Sequence, residues 1–113
     1  MTTLKSFLLG TSLIFTATAF AACPYPTSPK DLPSGETEGK EDMMTAQKAV
    51  KAYVASMEEY LKCLDTEVAA LGEGASEEQR LMRDKRYNAA VEQMDGVAGR
   101  FNQAVRTYKA RQN

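Results

Sequence analysis

Residues 40–71, KEDMMTAQKAVKAYVASMEEYLKCLDTEVAAL, decide the fold of this chain. Met43, Val50, Met57, Leu64 and Leu71 recur at intervals of seven, and Val54, Leu61 and Val68 flank them at the next-turn position. Ala46, Tyr53 and Tyr60 widen the stripe on its other side. Positions spaced by three, four and seven share one face of a helix, so the spacing predicts one long amphipathic helix over 40–71. Glu41 and Asp42 stand in its first turn, where the partial positive charge of the helix start favours carboxylates. Gly72 and Gly74 close it, because glycine takes the backbone angles that end a helix.

A second helix is predicted over 77–111. Ser76-Glu77-Glu78-Gln79 has the form of a capping box, in which the serine hydroxyl accepts from the third helical N–H and the glutamine reaches back to the serine N–H. The apolar stripe is Tyr87, Met94, Phe101 and Tyr108, supported by Val91, Val97, Ala98, Ala104 and Val105. Leu81 and Met82 fall off that stripe. Gly96 and Gly99, on the face opposite it, each weaken a helix by about 1 kcal/mol relative to alanine. One continuous helix is expected, with a break near Asp95-Gly96 as the alternative. A four-residue connection containing glycine joins two amphipathic helices as an antiparallel hairpin. The fold class expected is therefore all-α, a two-helix hairpin whose thin core is a motive for self-association into a bundle.

The halves of the chain differ in charge. Residues 30–79 hold twelve acids and five lysines, about −7, whereas residues 80–113 hold eight bases and three acids, about +5. In the antiparallel register Glu41 and Asp42 are expected near Arg106 and Lys109, and Asp65 and Glu67 near Arg80 and Arg83. Exposed pairs of this kind contribute only about 0–1 kcal/mol each, so they select orientation more than they stabilise.

Residues 22–39 form a third segment. All four prolines of the sequence, Pro24, Pro26, Pro29 and Pro33, lie here, removing backbone donors and fixing φ. Extended, polyproline-like chain is expected. Cys23 precedes it, and the sequence holds one other cysteine, Cys63. Two cysteines in an exported chain most simply pair. Cys63 lies roughly 33 Å along the first helix at 1.5 Å per residue. A polyproline strap from Pro24 to Lys40 reaches up to roughly 50 Å, enough to run back along that helix and meet it.

Export itself is read from residues 1–21. Lys5 is the lone charge ahead of an apolar run, SFLLGTSLIFTATAF, and Ala19-Phe20-Ala21 places small residues around a cut between Ala21 and Ala22. The run is too short and too rich in Thr and Ser for a comfortable bilayer span of about 20 residues. The competing reading makes Cys23 the lipidated first residue of a lipoprotein, the one route by which the mature chain would meet a membrane. Phe20, where an aliphatic residue is usual, and the orphaning of Cys63 argue against it.

Composition narrows function. There is no histidine, which removes the usual general base near neutral pH and the commonest transition-metal ligand. Oxidised cysteines offer neither a thiolate nucleophile nor a zinc site. Without Lys5 the 14 basic residues become 13 against 15 acids, and a near-neutral chain lacking a basic stripe is a poor nucleic-acid binder. Glu58 and Glu59 point about 100° apart on a helix and read as a solvated face. The stripe tyrosines and methionines read as core, Tyr25, Pro26 and Pro29 as strap, and Ser56 and Ser76 as structural. Arg80, Leu81, Met82, Arg83, Lys85 and Arg86 form the candidate partner-contact segment, set against a reading as a solvated helix start beside the acidic first helix.

The Cys-Pro start, the strap ending in DLPSG, the helix segment AVKAYVASMEEYLKCL and the late RFNQAVRTYKAR resemble a group of small exported proteobacterial helical proteins. The resemblance implies an envelope location and a helix bearing the second cysteine; it implies no activity. The expected function is that of a non-enzymatic periplasmic or secreted protein acting by contact with an unknown protein partner or with itself, without cofactor, catalytic residue or metal. The alternatives are a holdase-like periplasmic chaperone and a lipoprotein acylated at Cys23.

Overall fold

A computed structural model describes residues 23–112; the expected secretion signal and its cut between Ala21 and Ala22 lie outside the described residues. Two helices, α1 (Lys40–Leu71) and α2 (Glu77–Gln112), pack as a hairpin, joined by a 3-10 turn at Gly72–Gly74, and the described residues contain no strand. Gly72 takes φ +54° and its N–H donates to the Ala69 carbonyl, so α1 ends where a residue without a Cβ turns the chain aside. The α2 capping box forms as its sequence implies. The Ser76 N–H donates to Gln79 Oε1 at 2.8 Å, and the Gln79 N–H donates to Ser76 Oγ at 3.1 Å. α2 is continuous through Gly96 and Gly99, and a Cβ at either would meet nothing within 4 Å. The alternative of a break near Asp95 therefore falls: these glycines face open space and their neighbours hold the helix.

The core is a single seam between the helices. On α1 it consists of Met43, Val50, Tyr53, Met57, Tyr60 and Leu64, all within the expected stripe. Leu71 departs from it: it is the last residue of α1 and is 45% exposed. On α2 the seam is rotated from its expected line. Ala90, Val97 and Ala104, spaced by seven, are buried with Phe101, while Tyr87, Met94 and Tyr108 are only partly buried at its margin. Small side chains let two helix backbones approach, and the larger rings then close the sides. Apolar size alone marks the flank as readily as the centre, which is why the sequence stripe ran through the larger residues.

The strap covers one side of this seam. Cys23 is buried, and Leu32 packs on the core. Asp31 and Gly35 take left-handed angles, φ +55° and +84°. Gly35 lies directly on the α2 backbone, where a Cβ would come within 2.0 Å of the Ala104 carbonyl oxygen. Arg111, near the end of α2, clasps this bend: Nε donates to the Gly35 carbonyl and Nη2 to the Glu38 carbonyl, each at 2.7 Å. The Glu38 carboxylate collects the N–H groups of Ser34, Gly35 and Thr37 at 2.9, 2.9 and 3.2 Å.

These donors, above all the Ser34 N–H, hold the Glu38 carboxyl down to about 2 from an ordinary 4.5. A carboxylate depressed in the folded state contributes stability that is complete above its unfolded value and lost as pH falls through the folded one. The bend is thus expected to hold at neutral pH and to loosen between about pH 4.5 and pH 2. With the intrinsic pH dependence of exchange divided out, protection of the Ser34, Gly35 and Thr37 amides should fall over that window in the native chain. In Glu38→Gln it should be low already at neutral pH. Equal exchange in both proteins would show that the carboxylate does not organise the bend.

Among the described residues, one core group lacks a partner. The Tyr53 hydroxyl is buried without a hydrogen bond, and burial pushes its pKa up. An unsatisfied buried donor costs roughly 1–3 kcal/mol, and removing it leaves the ring's packing intact. Tyr53→Phe is therefore expected to raise the urea midpoint, an outcome opposite to that of most core substitutions. A lowered midpoint would mean that the hydroxyl is satisfied in solution.

Candidate functional site

The Cys23–Cys63 disulfide joins strap to helix with a Cα–Cα distance of 5.7 Å, closing a loop with a sequence separation of 40. Cys63 lies on the outer flank of α1, and Glu67, four residues later, shares its face. Glu67 serves both neighbours: Oε1 accepts the Cys23 N–H at 3.3 Å, and Oε2 accepts from Arg86 Nη1 at 3.2 Å. Staple, α1 and α2 thus converge on one carboxylate. The ligating atoms of Cys23, Cys63 and Glu67 lie within 4.8 Å of one another. The oxidised sulfurs, however, offer no thiolate, and Glu67 is already engaged by two donors, so the trio reads as a structural junction.

Beside the staple a groove of about 730 Å³ runs to the closed end of the hairpin. Cys63, Thr66, Glu67, Val68 and Leu71 line its α1 wall; Gln79, Met82, Arg83 and Arg86 line the α2 wall. Met82 is 52% exposed and Leu81 54%, which leaves both free of the core, as expected for residues off the stripe. On the other side of Cys63 a second groove, about 420 Å³, is lined by Pro24, Tyr25, Pro26 and Tyr60. Glu59 and Cys63 line both grooves. Tyr25 stands edge-on to Tyr60, ring centres 5.1 Å apart, so its ring extends the apolar surface of the strap.

The six residues of the candidate contact segment separate into distinct environments. Arg80 donates through Nη2 to the Gly72 carbonyl and helps close the hairpin turn. Arg83 pairs with Asp65 across the hairpin and with Asp84 on its own helix, and its guanidinium lies 4.5 Å from the centre of the Tyr87 ring. Arg86 pairs with Glu67 and lies 5.9 Å from the Tyr60 ring centre. Lys85 is exposed, like Leu81, and lies outside the groove lining. Arg83, Arg86 and Met82 are thus brought together on one wall.

Part of the expected charge pairing is different. Asp65 meets Arg83 as the register implies, but Glu67 meets Arg86 rather than Arg80 or Arg83. At the other end, among the described residues, neither Glu41 nor Asp42 forms an ion pair with Arg106 or Lys109. Asp42 accepts the Gly39 N–H at the helix start, and Arg106 turns to Gln103. Local partners win because exposed long-range pairs gain too little to hold two side chains extended. Sequence reasoning missed Glu67 and Leu71 as site residues. The spacing of four between Cys63 and Glu67 was the available signal for the first; nothing in a heptad pattern marks where a helix end leaves a leucine uncovered.

No match to this chain is found among protein families, curated proteins or solved structures.

Proposed function

We propose that this chain is a non-enzymatic exported protein that acts by protein–protein contact, presenting the groove at the closed end of its hairpin. The observation that carries this reading is the apolar pair on the groove's facing walls, Leu71 and Met82, about half exposed and committed to no internal packing. Apolar surface flanked by polar side chains and by arginines held against aromatic rings has the composition of a contact site. Export is supported by the disulfide, which persists in oxidising compartments, and by the secretion-type sequence of residues 1–21. The resemblance to small exported helical proteins points the same way. The lipoprotein alternative draws less support because the Cys23 sulfur is engaged with Cys63. The holdase alternative is weakened by burial of Met43 and Met57, which removes them from any client-binding face.

A photo-crosslinking residue at Gln79, on the groove wall, tests the contact in living cells. It is expected to yield a discrete adduct of higher mass, whereas the same residue at exposed Glu92, away from the groove, yields none. Absence of adduct at Gln79, or equal adducts at both positions, would overturn the reading.

A further inference from the structure

We infer that the occupant of this groove is a second copy of the same chain, related by a two-fold axis running along the groove. The inference rests on the contact reading above and names its partner.

Glu67 and Arg86 pair across the hairpin, so they stand at one height. Leu71 follows Glu67 by four residues and Met82 precedes Arg86 by four, and in antiparallel helices both steps lead one turn toward the closed end. Leu71 and Met82 therefore also stand at one height, on opposite walls of the groove. A two-fold axis along the groove keeps heights and exchanges walls. It lays each copy's Leu71 on the other's Met82 and each Glu67 beside the other's Arg86, in two equivalent sets. This is the self-complementarity that an isologous contact requires.

Charge selects this axis over its rival. A two-fold axis across the groove would instead set α1 on α1, where Glu59 and Glu67 outnumber the single Lys62, and α2 on α2, arginine facing arginine. The chain-wide asymmetry, about −7 over residues 30–79 and about +5 over 80–113, enlarges the same preference. A wholly acidic peptide would meet Glu59 and Glu67 on the α1 wall, and a wholly basic one would meet Arg83 and Arg86; the alternation of sign across the groove suits a partner that carries the same alternation. The arginines are placed for this in advance. Each is held by a carboxylate and by an aromatic face, so docking immobilises little that is not already fixed, and each guanidinium retains further donors.

The thin core supplies the driving force. Of the large side chains among the described residues, only Met57, Leu64 and Val97 are essentially fully buried, and a domain this small gains stability by covering Leu71 and Met82.

Sedimentation of the oxidised chain at micromolar concentrations is expected to show a species of twice the monomer mass. Leu71→Glu and Met82→Glu should each reduce it to the monomer without loss of helical circular dichroism. Met44→Glu, which alters an exposed methionine outside this groove, should leave the dimer in place. Cross-linking an equal mixture of ¹⁴N- and ¹⁵N-labelled protein through a probe at Gln79 should give mixed-label adducts on α1 of the other copy. A wild-type monomer at every concentration, a dimer that survives both groove substitutions, or mixed-label adducts confined to α2 would each overturn the inference. If the chain is monomeric yet Gln79 captures a different protein in cells, the second copy is excluded while the contact reading stands. If Gln79 captures nothing, both fall.

Discussion

Replacing Cys63 with serine is expected to lower the melting temperature by roughly 15–30 °C, the largest single effect available in this chain. The size follows from the loop that the disulfide closes. A sequence separation of 40 removes chain entropy from the unfolded ensemble equivalent to about 4 kcal/mol at 25 °C. A domain of this size holds about 5–15 kcal/mol in all, and each kcal/mol moves its melting point by about 4–8 °C. The native state loses as well. Without the bond, Cys23 no longer has a fixed place beside Glu67, and the strap over the seam is held by the Tyr25–Tyr60 contact, Leu32, the Gly35 bend and the Arg111 clasp. Reduction of the wild-type protein with a dithiol should reproduce the shift, and Cys23→Ser should match Cys63→Ser. A change below about 5 °C, close to 1 kcal/mol, would show that the unfolded chain is already compact at this end or that the strap contributes little.

Gly35→Ala should be the second most damaging substitution, at about 2–4 kcal/mol. Two costs coincide at this position. The backbone stands at φ +84°, where a Cβ strains an L-residue, and that Cβ would come within 2.0 Å of the Ala104 carbonyl oxygen and 2.9 Å of the Tyr108 nitrogen. Both obstacles are main-chain atoms of a helix and have no rotamer to yield, so the strap must lift from α2. Lifting it withdraws the Gly35 and Glu38 carbonyls from Arg111, so the two substitutions should be strongly non-additive. Arg111→Ala is expected to destabilise the wild type but to add almost nothing to Gly35→Ala. Gly99→Ala is the control. Its Cβ would enter open space in the middle of a helix, so it should stabilise by about 0.5–1 kcal/mol. Urea midpoints for the four variants decide the matter; a Gly35→Ala protein within about 0.5 kcal/mol of the wild type would show that strap and helix do not pack against each other in solution.

Part of the groove is legible in the spacing of residues, and part depends on how the helices pack. That Leu81 and Met82 leave the core was legible, because their angular position on α2 departs from every stripe that could face α1. That Leu71 joins Met82 to form an apolar surface was not, since the heptad assigns Leu71 to the core as firmly as Leu64. Arg83 and Arg86 could be named as candidates from the segment, but their distinct carboxylate and ring partners depend on where α1 presents Asp65, Glu67 and Tyr60.

Periodicity, caps and two cysteines were enough by themselves to specify two long helices, the turn between them and the covalent tie from strap to helix, because each depends on neighbours in sequence or on the simple reach of an extended chain. Tertiary packing decided the rest: which face of α2 forms the seam, which charges meet, and where Gly35 rests. Closest approach of two backbones is set by the smallest side chains between them, so Ala90, Val97 and Ala104 occupy the centre although larger residues dominate the apolar pattern. Exposed charges then settle with whichever partner that rotation brings nearest, and neither the rotation nor its consequences can be read from a period of seven.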